Sequence, residues 1–360
     1  MDAKLGLTEI AESDFMLRAQ LEFERSVEQF DGSNLYRFLA GKLPAETEIL
    51  ALLDGATPDQ PLPVFLFATV NYLLGQNRAD PLARFYPNYR TEPEAPSAAL
   101  VEDFRAFCLK HRDDLQFNLQ TRAVQTSEVR RCALLYPALC LASRFSTLPV
   151  YLMDVGAAAG FNLLLDQYEY SYSDGTRAGK TGSGLHLHCE LENTSLPEMV
   201  LPPISKRVGI DVNPIDLSLH DELAWMRALI WPDQPERMAL FDQAVAIRKQ
   251  HKLEIYKASG ADMPKLMASR MPPDLHLLVQ HSFTLNQFTV NMREEFMSNL
   301  ADISKKRPVS CVGIEWLSGP APDIRLTHFS AGRPVLERQL AECHPHGAWI
   351  KNGDFTSTLA

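Results

Sequence analysis

After Pro149 the chain changes character, and this change constrains its fold more than any other feature. Short apolar runs recur there, parted by stretches of helical spacing: Val150–Val155, Arg207–Asp211, Glu254–Ala258, Leu275–Gln280 and Val309–Trp316. Strands that alternate with helices read as βαβ units, which build a mainly parallel sheet covered on both faces. Near the end, Ile324–Phe329, Pro334–Leu340 and Ala348–Ile350 are candidate antiparallel strands at one edge. Tyr168–Tyr172 and Leu185–Leu191 alternate around a Gly-rich stretch at Asp174–Gly184. That pattern predicts a hairpin, or two edge strands, in an insertion near residues 167–206.

The residues before Pro149 read as helices. Ile10–Phe30 has apolar positions at helical spacing, Leu35–Ala40 and Glu46–Leu53 are shorter pieces parted by Pro44, and Val64–Leu74 is an apolar run entered from Pro61 and Pro63. Pro81–Pro96 is a loop, and Leu100–His111 and Leu115–Leu141 read as two long helices. The expected layout is an all-α N-terminal domain over residues 1–145, a possible cap, and an α/β domain over 146–360. With 360 residues, 46% of them hydrophobic, two cores are expected and neither needs a metal or a disulfide.

Charge and cysteine usage exclude several classes. A net charge of −10 disfavours a general nucleic-acid binder, which needs a basic face. The cysteines Cys108, Cys132, Cys140, Cys189, Cys311 and Cys343 form no C-x-x-C pair, so they read as reduced, buried thiols. His186 and His188 share one face of a predicted strand, but no third ligand stands at metal spacing, and no metal is expected. Met1–Leu7 is followed by charged residues with no apolar leader core, and Val64–Leu74 is too short to span a bilayer. A cytoplasmic protein without a membrane segment is expected.

The first apolar run ends in Asp154-Val-Gly-Ala-Ala-Ala-Gly160, followed by Phe161-Asn-Leu-Leu-Leu165. This predicts a strand, a tight turn of small residues at Gly156, Ala158 and Gly160, and a helix whose free N–H groups suit an anionic group. The pattern is not G-x-G-x-x-G, so close approach of a pyrophosphate is disfavoured. A ligand with a carboxylate for the amides and a cation for Asp154 fits better, and S-adenosylmethionine has both. Asn162 lies in the first turn of that helix. Asp211 ends the second strand, where α/β nucleotide folds bind ribose hydroxyls, or it caps the turn at Asn213-Pro214. Asp262 follows the third strand and either meets an adenine amino group or caps a helix at Met263-Pro264. The fourth strand ends at Gln280-His-Ser-Phe283, which places His281 at the mouth of the cleft as the candidate catalytic group. Arg122 and Gln125 share a face of the predicted helix before the α/β domain and are candidate substrate contacts.

Asp154 to Gly160, Asp211 and Asp262 fall in the order of the class I methyltransferase motifs. The chain therefore resembles S-adenosylmethionine-dependent methyltransferases, which implies a Rossmann-like three-layer sandwich with an antiparallel edge. Thr121–Cys132, Asp154–Asp166, Arg207–Asp216 and Trp225–Pro232 also resemble a bacterial family catalogued as domain of unknown function 2332. That resemblance covers nearly the whole chain and implies a layout but no reaction. The function expected is methyl transfer to a small or medium-sized substrate. The rivals are a non-catalytic S-adenosylmethionine- or metabolite-binding regulatory protein and, more remotely, a dinucleotide-dependent oxidoreductase.

Overall fold

The computed structural model describes residues 2–261, 264–265, 271–272, 274–317, 319 and 321–356, with side chains from residue 14. The chain divides into two compact units, Met1–Thr126 with Leu219–Ala239, and Ser127–Ser218 with Leu240–Ala360. The boundary thus falls at 126/127 rather than 145/146, and a later segment returns to the first unit.

The first unit is helical: Asp2–Gln29, Asn34–Lys42, Thr47–Leu50, Leu62–Gln76, Ala98–Lys110, Arg112–Thr121 and, from the later segment, His220–Ala228. Pro63 in the first turn suits Leu62–Gln76, because a proline there loses no helical hydrogen bond. The ring of Phe67 meets Phe23, Phe30, Tyr36 and Phe104 in the centre of this core. Trp225 packs on Phe65 and Tyr72 from His220–Ala228, and Asn71 Nδ2 donates to Ala228 O at 3.1 Å.

One expected helix is broken. Leu115–Leu141 is helical over Arg112–Thr121, extended or irregular from Arg122 to Glu128, and helical again over Cys132–Ser143. Side chains distant in sequence capture the backbone of the gap. Thr57 Oγ1 donates to Arg122 O at 3.0 Å, Trp225 Nε1 to Ala123 O at 3.0 Å, and Val124 N donates to Gln60 Oε1 at 2.7 Å. Arg122 and Gln125 therefore share no helix face.

The second unit holds strands β1 (Val150–Val155), β2 (Glu169–Tyr172), β3 (Arg177–Gly179), β4 (His186–Glu192), β5 (Ile204–Asp211), β6 (Glu254–Lys257), β7 (His276–Ser282), β8 (Val309–Glu315), β9 (Asp323–Ser330), β10 (Arg333–Cys343) and β11 (Trp349–Lys351). They form one sheet in the order β3-β2-β4-β11-β10-β9-β8-β7-β1-β5-β6. The run β6-β5-β1-β7-β8 is parallel throughout. The order in which the chain adds strands reverses at β1/β7, the switch point of a doubly wound sheet. β9 and β10 continue it antiparallel as a meander.

The insertion supplies edge strands, but β2 and β4 pair in parallel and not as a hairpin. The tight hairpin is β2 with β3, a three-residue polar strand. His186 and His188 lie on the exposed face of β4, with Cys189 buried on the other.

The parallel register separates the two faces of the sheet. Asp154 on β1 stands beside Gly209 on β5 and Gln280 on β7. Alternation puts Asp154, Asp211, Gln280 and Ser282 on one face, and Val155, Ile210, Val279 and His281 on the other. The second face is an apolar core of Met153, Val155, Val208, Ile210, Val279 and Cys311, closed by Phe296 and Leu300 of the helix Val290–Ile303. The first face carries the helix Cys132–Ser143 and the turn after β1, where Cys132 Sγ donates to Asn162 Oδ1 at 3.3 Å.

Candidate functional site at the switch point of the sheet

The turn after β1 is built largely for its own packing. Gly156, Ala158 and Gly160 take positive φ of 82°, 47° and 83°. The alanine is strained there, at a cost of about 1 kcal/mol. It is held because its N–H donates to Asp211 Oδ2 at 2.7 Å and Ile215 N donates to its carbonyl at 3.2 Å. Gly156 N and Ala157 N both donate to Ile210 O, and Gly160 N donates to Ala157 O. These four amides are thus engaged within the protein. A Cβ on Gly156 would lie 2.0 Å from Thr284 Oγ1, so the glycine makes room for a threonine.

The α-helix expected after the turn is absent. Asn162–Gln167 is a six-residue 3-10 segment with non-helical angles at Leu164. Its carbonyls are taken from outside. Tyr168 Oη donates to Phe161 O, Gln280 Nε2 to Asn162 O, Arg207 to Leu163 O and Tyr170 Oη to Leu165 O. With those acceptors engaged and three leucines buried, the segment never winds into a helix, and the helix dipole expected at this position is missing. Asp166 pairs with Arg207 at 2.7 Å, a structural role.

Asp211 also works on the backbone. Its Oδ2 receives the Ala158 amide and its Oδ1 receives Asn213 N at 2.7 Å, which caps the Asn213-Pro214 turn.

The unsatisfied groups lie deeper on the same face. Asp154 is 1% exposed, and neither of its carboxylate oxygens has a hydrogen-bond partner among the described residues. Gln280 is wholly buried; its Nε2 is fixed on Asn162 O at 3.0 Å, and its Oε1 is unpartnered. Two residues on, the buried Ser282 Oγ has no partner either. Burial, with the neighbouring Asp211 charge, outweighs the Gln280 amide and His281 and pushes the Asp154 carboxyl up to about 7. Burial, followed by the Asp154 and Glu128 charges, raises the Cys132 thiol well above its ordinary value, so it is a neutral donor and not a thiolate.

His281 lies on the opposite face and is buried. It is 5% exposed, its ring fills the space over Gly313, and Nδ1 meets Glu315 Oε1 at 2.7 Å. Burial opposes its charge, but Cys311 and the Glu315 carboxylate outweigh burial and hold the imidazole up to about 10. Glu315 Oε1 also receives Thr284 N and Leu285 N, each at 2.9 Å, and Oε2 receives Asn286 N at 3.1 Å. The pair therefore anchors the turn after β7 and is structurally complete.

The structure brings Asp154, Gly156, Ala158, Gly160, Asn162 and Asp211 together around the carboxyl end of β1. Arg122 belongs to the helical unit, where it pairs with Asp221 at 2.5 Å and stacks on Tyr72 and Trp225; Gln125 belongs to the same unit. Asp262 lies outside the described residues. No group of three or more metal-ligating side chains occurs among the described residues. The sequence pattern does not single out Gln280 and Ser282, because His281 between them carries the more obvious chemistry. The signal that finds them is register, since a buried acid on β1 implicates the residue paired with it on β7.

A family model described as an uncharacterized protein conserved in bacteria (DUF2332) matches residues 19–352, and the chain belongs to that family. No curated protein and no solved structure matches it.

Proposed function

We propose that the α/β unit binds a small cationic cofactor of the S-adenosylmethionine type at the switch point of its sheet and transfers a methyl group to a small or medium-sized acceptor. The observation that carries this reading is Asp154, a buried carboxyl at the carboxyl end of β1 with neither oxygen partnered among the described residues. Ligands of doubly wound sheets sit in this crevice, and an unpaired buried acid is costly without one. Asp154 would offset the cationic end of the ligand. Asp211, at the carboxyl end of β5, would receive ribose hydroxyls. S-adenosylmethionine, when bound, supplies an activated methyl. The protein's part would be to orient the reactants and exclude water, since methyl transfer needs little acid–base help.

A ligand carboxylate meets four turn amides already engaged, those of Gly156, Ala157, Ala158 and Gly160. The same feature disfavours close approach of a pyrophosphate and speaks against a dinucleotide oxidoreductase. It also favours the second reading, a metabolite-binding or regulatory protein on the same sheet. No described helix is long and apolar enough to cross a membrane.

Calorimetric titration with S-adenosylmethionine and S-adenosylhomocysteine tests the proposal. Micromolar binding by the wild type that weakens at least tenfold in Asp154→Asn supports it. A folded protein that binds neither compound refutes it.

A further inference from the structure

We infer that Asp154, Gln280 and Ser282 together form a binding site for a primary amino group, carried by a second ligand or by the amino-acid end of the cofactor. The inference deepens the proposed function, and it assigns ligand contact to Gln280 and Ser282 in place of His281.

These three side chains lack the partners that buried polar groups normally have. Both Asp154 oxygens, Gln280 Oε1 and Ser282 Oγ are buried without partners among the described residues. Asp154 and Gln280 are 1% and 0% exposed. They stand side by side on β1 and β7, and Ser282 follows Gln280 on the same face. The Gln280 amide is oriented by its own bond, since Nε2 donates to Asn162 O, and Oε1 is left without a donor among the described residues. Three of the four free atoms accept hydrogen bonds when Asp154 is ionised, and the fourth is a hydroxyl that does either. Orphaned buried acceptors of this density are rare in folded proteins and call for a donor.

The complementary group is rich in N–H and carries positive charge. An ammonium has three donors and no acceptor, which matches two carboxylate oxygens and an amide oxygen. A phosphate or carboxylate would meet only repulsion. The neighbouring donors are committed elsewhere, with the Cys132 thiol on Asn162 Oδ1 and the Arg207 guanidinium on Asp166 and Leu163 O. The proton balance follows. With its carboxyl near 7, Asp154 is about half protonated at pH 7. An arriving ammonium stabilises the carboxylate, and the displaced Asp154 proton passes to solvent.

The test uses two pairs of probes on the full-length chain, in buffers of different ionisation heat. S-adenosylhomocysteine carries the amino group that 5′-methylthioadenosine lacks. Methylammonium and tetramethylammonium chloride have the same charge, but only the first has N–H donors. If the amino group belongs to the cofactor, S-adenosylhomocysteine binds at least tenfold more tightly than 5′-methylthioadenosine and releases about half a proton at pH 7. If it belongs to a second ligand, the adenosyl compounds bind alike, and methylammonium raises the melting temperature where tetramethylammonium does not. Either preference disappears in Asp154→Asn and weakens in Gln280→Met, which keeps the side-chain length. Adenosyl compounds that bind alike, with no methylammonium preference, would overturn this inference and leave the cofactor reading standing. A methylammonium preference without adenosyl binding would do the reverse. A preference unchanged in folded Asp154→Asn also overturns the inference.

Discussion

Residues 280, 281 and 282 of one strand face two different interiors. Outward to one side, His281 meets Glu315, and Glu315 meets three consecutive backbone amides, so every strong polar group there is answered. To the other side, Gln280 and Ser282 join Asp154 with four buried polar atoms unanswered among the described residues. Both faces bury a carboxylate at a strand's end. The comparison shows that burial of charge alone does not mark a site; what distinguishes the two is whether the fold supplies the partners. His281 and Glu315 form a closed structural pair, and Asp154 is open.

The largest effect tests the closed side. Glu315→Leu leaves a buried imidazolium and three orphaned amides, and should cost about 3–5 kcal/mol in urea unfolding. A loss under about 1 kcal/mol would mean that the pair is not structural. The raised pKa of His281 gives a pH signature. The folded chain holds its proton more tightly than the unfolded chain does. The associated stability is therefore full below about 6.5 and falls as the pH rises toward about 10.

A smaller effect is expected at the turn that joins the two faces. Gly156→Ala combines a positive φ with the approach of Thr284 Oγ1 and should cost about 2–4 kcal/mol. Adding Thr284→Ala should recover part of that loss and leave the backbone strain. If the double variant is no more stable than the single one, the threonine does not set the need for glycine.

Smaller still is the contribution of a second buried histidine. His276 lies on the open face but at the opposite end of β7, with Nε2 on Ser310 Oγ at 3.0 Å and Nδ1 without a partner among the described residues. Burial, helped by His328, lowers its pKa to about 4. As the pH falls from about 6.5 toward 4, the unfolded chain takes up a proton that the folded chain refuses, and stability declines. His276→Gln should flatten that decline, as followed by thermal melts across this range. An unchanged acid slope would assign the decline to other groups.

The same contrast explains how much was legible in the sequence. β1, β5, β7 and β8 could be read because strands buried on both faces are continuous apolar runs. The Asp154–Gly160 turn could be read from its small residues. What failed depended on partners far along the chain. The helix expected through Arg122–Glu128 is undone by Thr57, Gln60 and Trp225, and the helix expected after Gly160 by Tyr168, Tyr170, Arg207 and Gln280. β2 and β4 alternate as predicted, but which strand each pairs with is a matter of topology and not of local pattern. Likewise, the residues around His281 announce polar chemistry. Only the register tells which of them share a face with Asp154.

The most direct test of the central claim is the stability of Asp154→Asn relative to wild type between pH 5 and pH 8. Asp154 titrates near 3.9 in an unfolded chain and about 7 in the folded one, mainly because burial disfavours its charge. The folded chain therefore binds the extra proton between those values, and wild-type stability falls as the pH rises through them. An asparagine carries no such charge, and its amide would have the free Gln280 Oε1 beside it. Between pH 5 and pH 8 the variant is expected to gain about 2–3 kcal/mol on wild type and to be the more stable of the two at pH 8. A variant that loses stability at pH 8 would contradict it, because the fold itself would then be holding the Asp154 carboxylate.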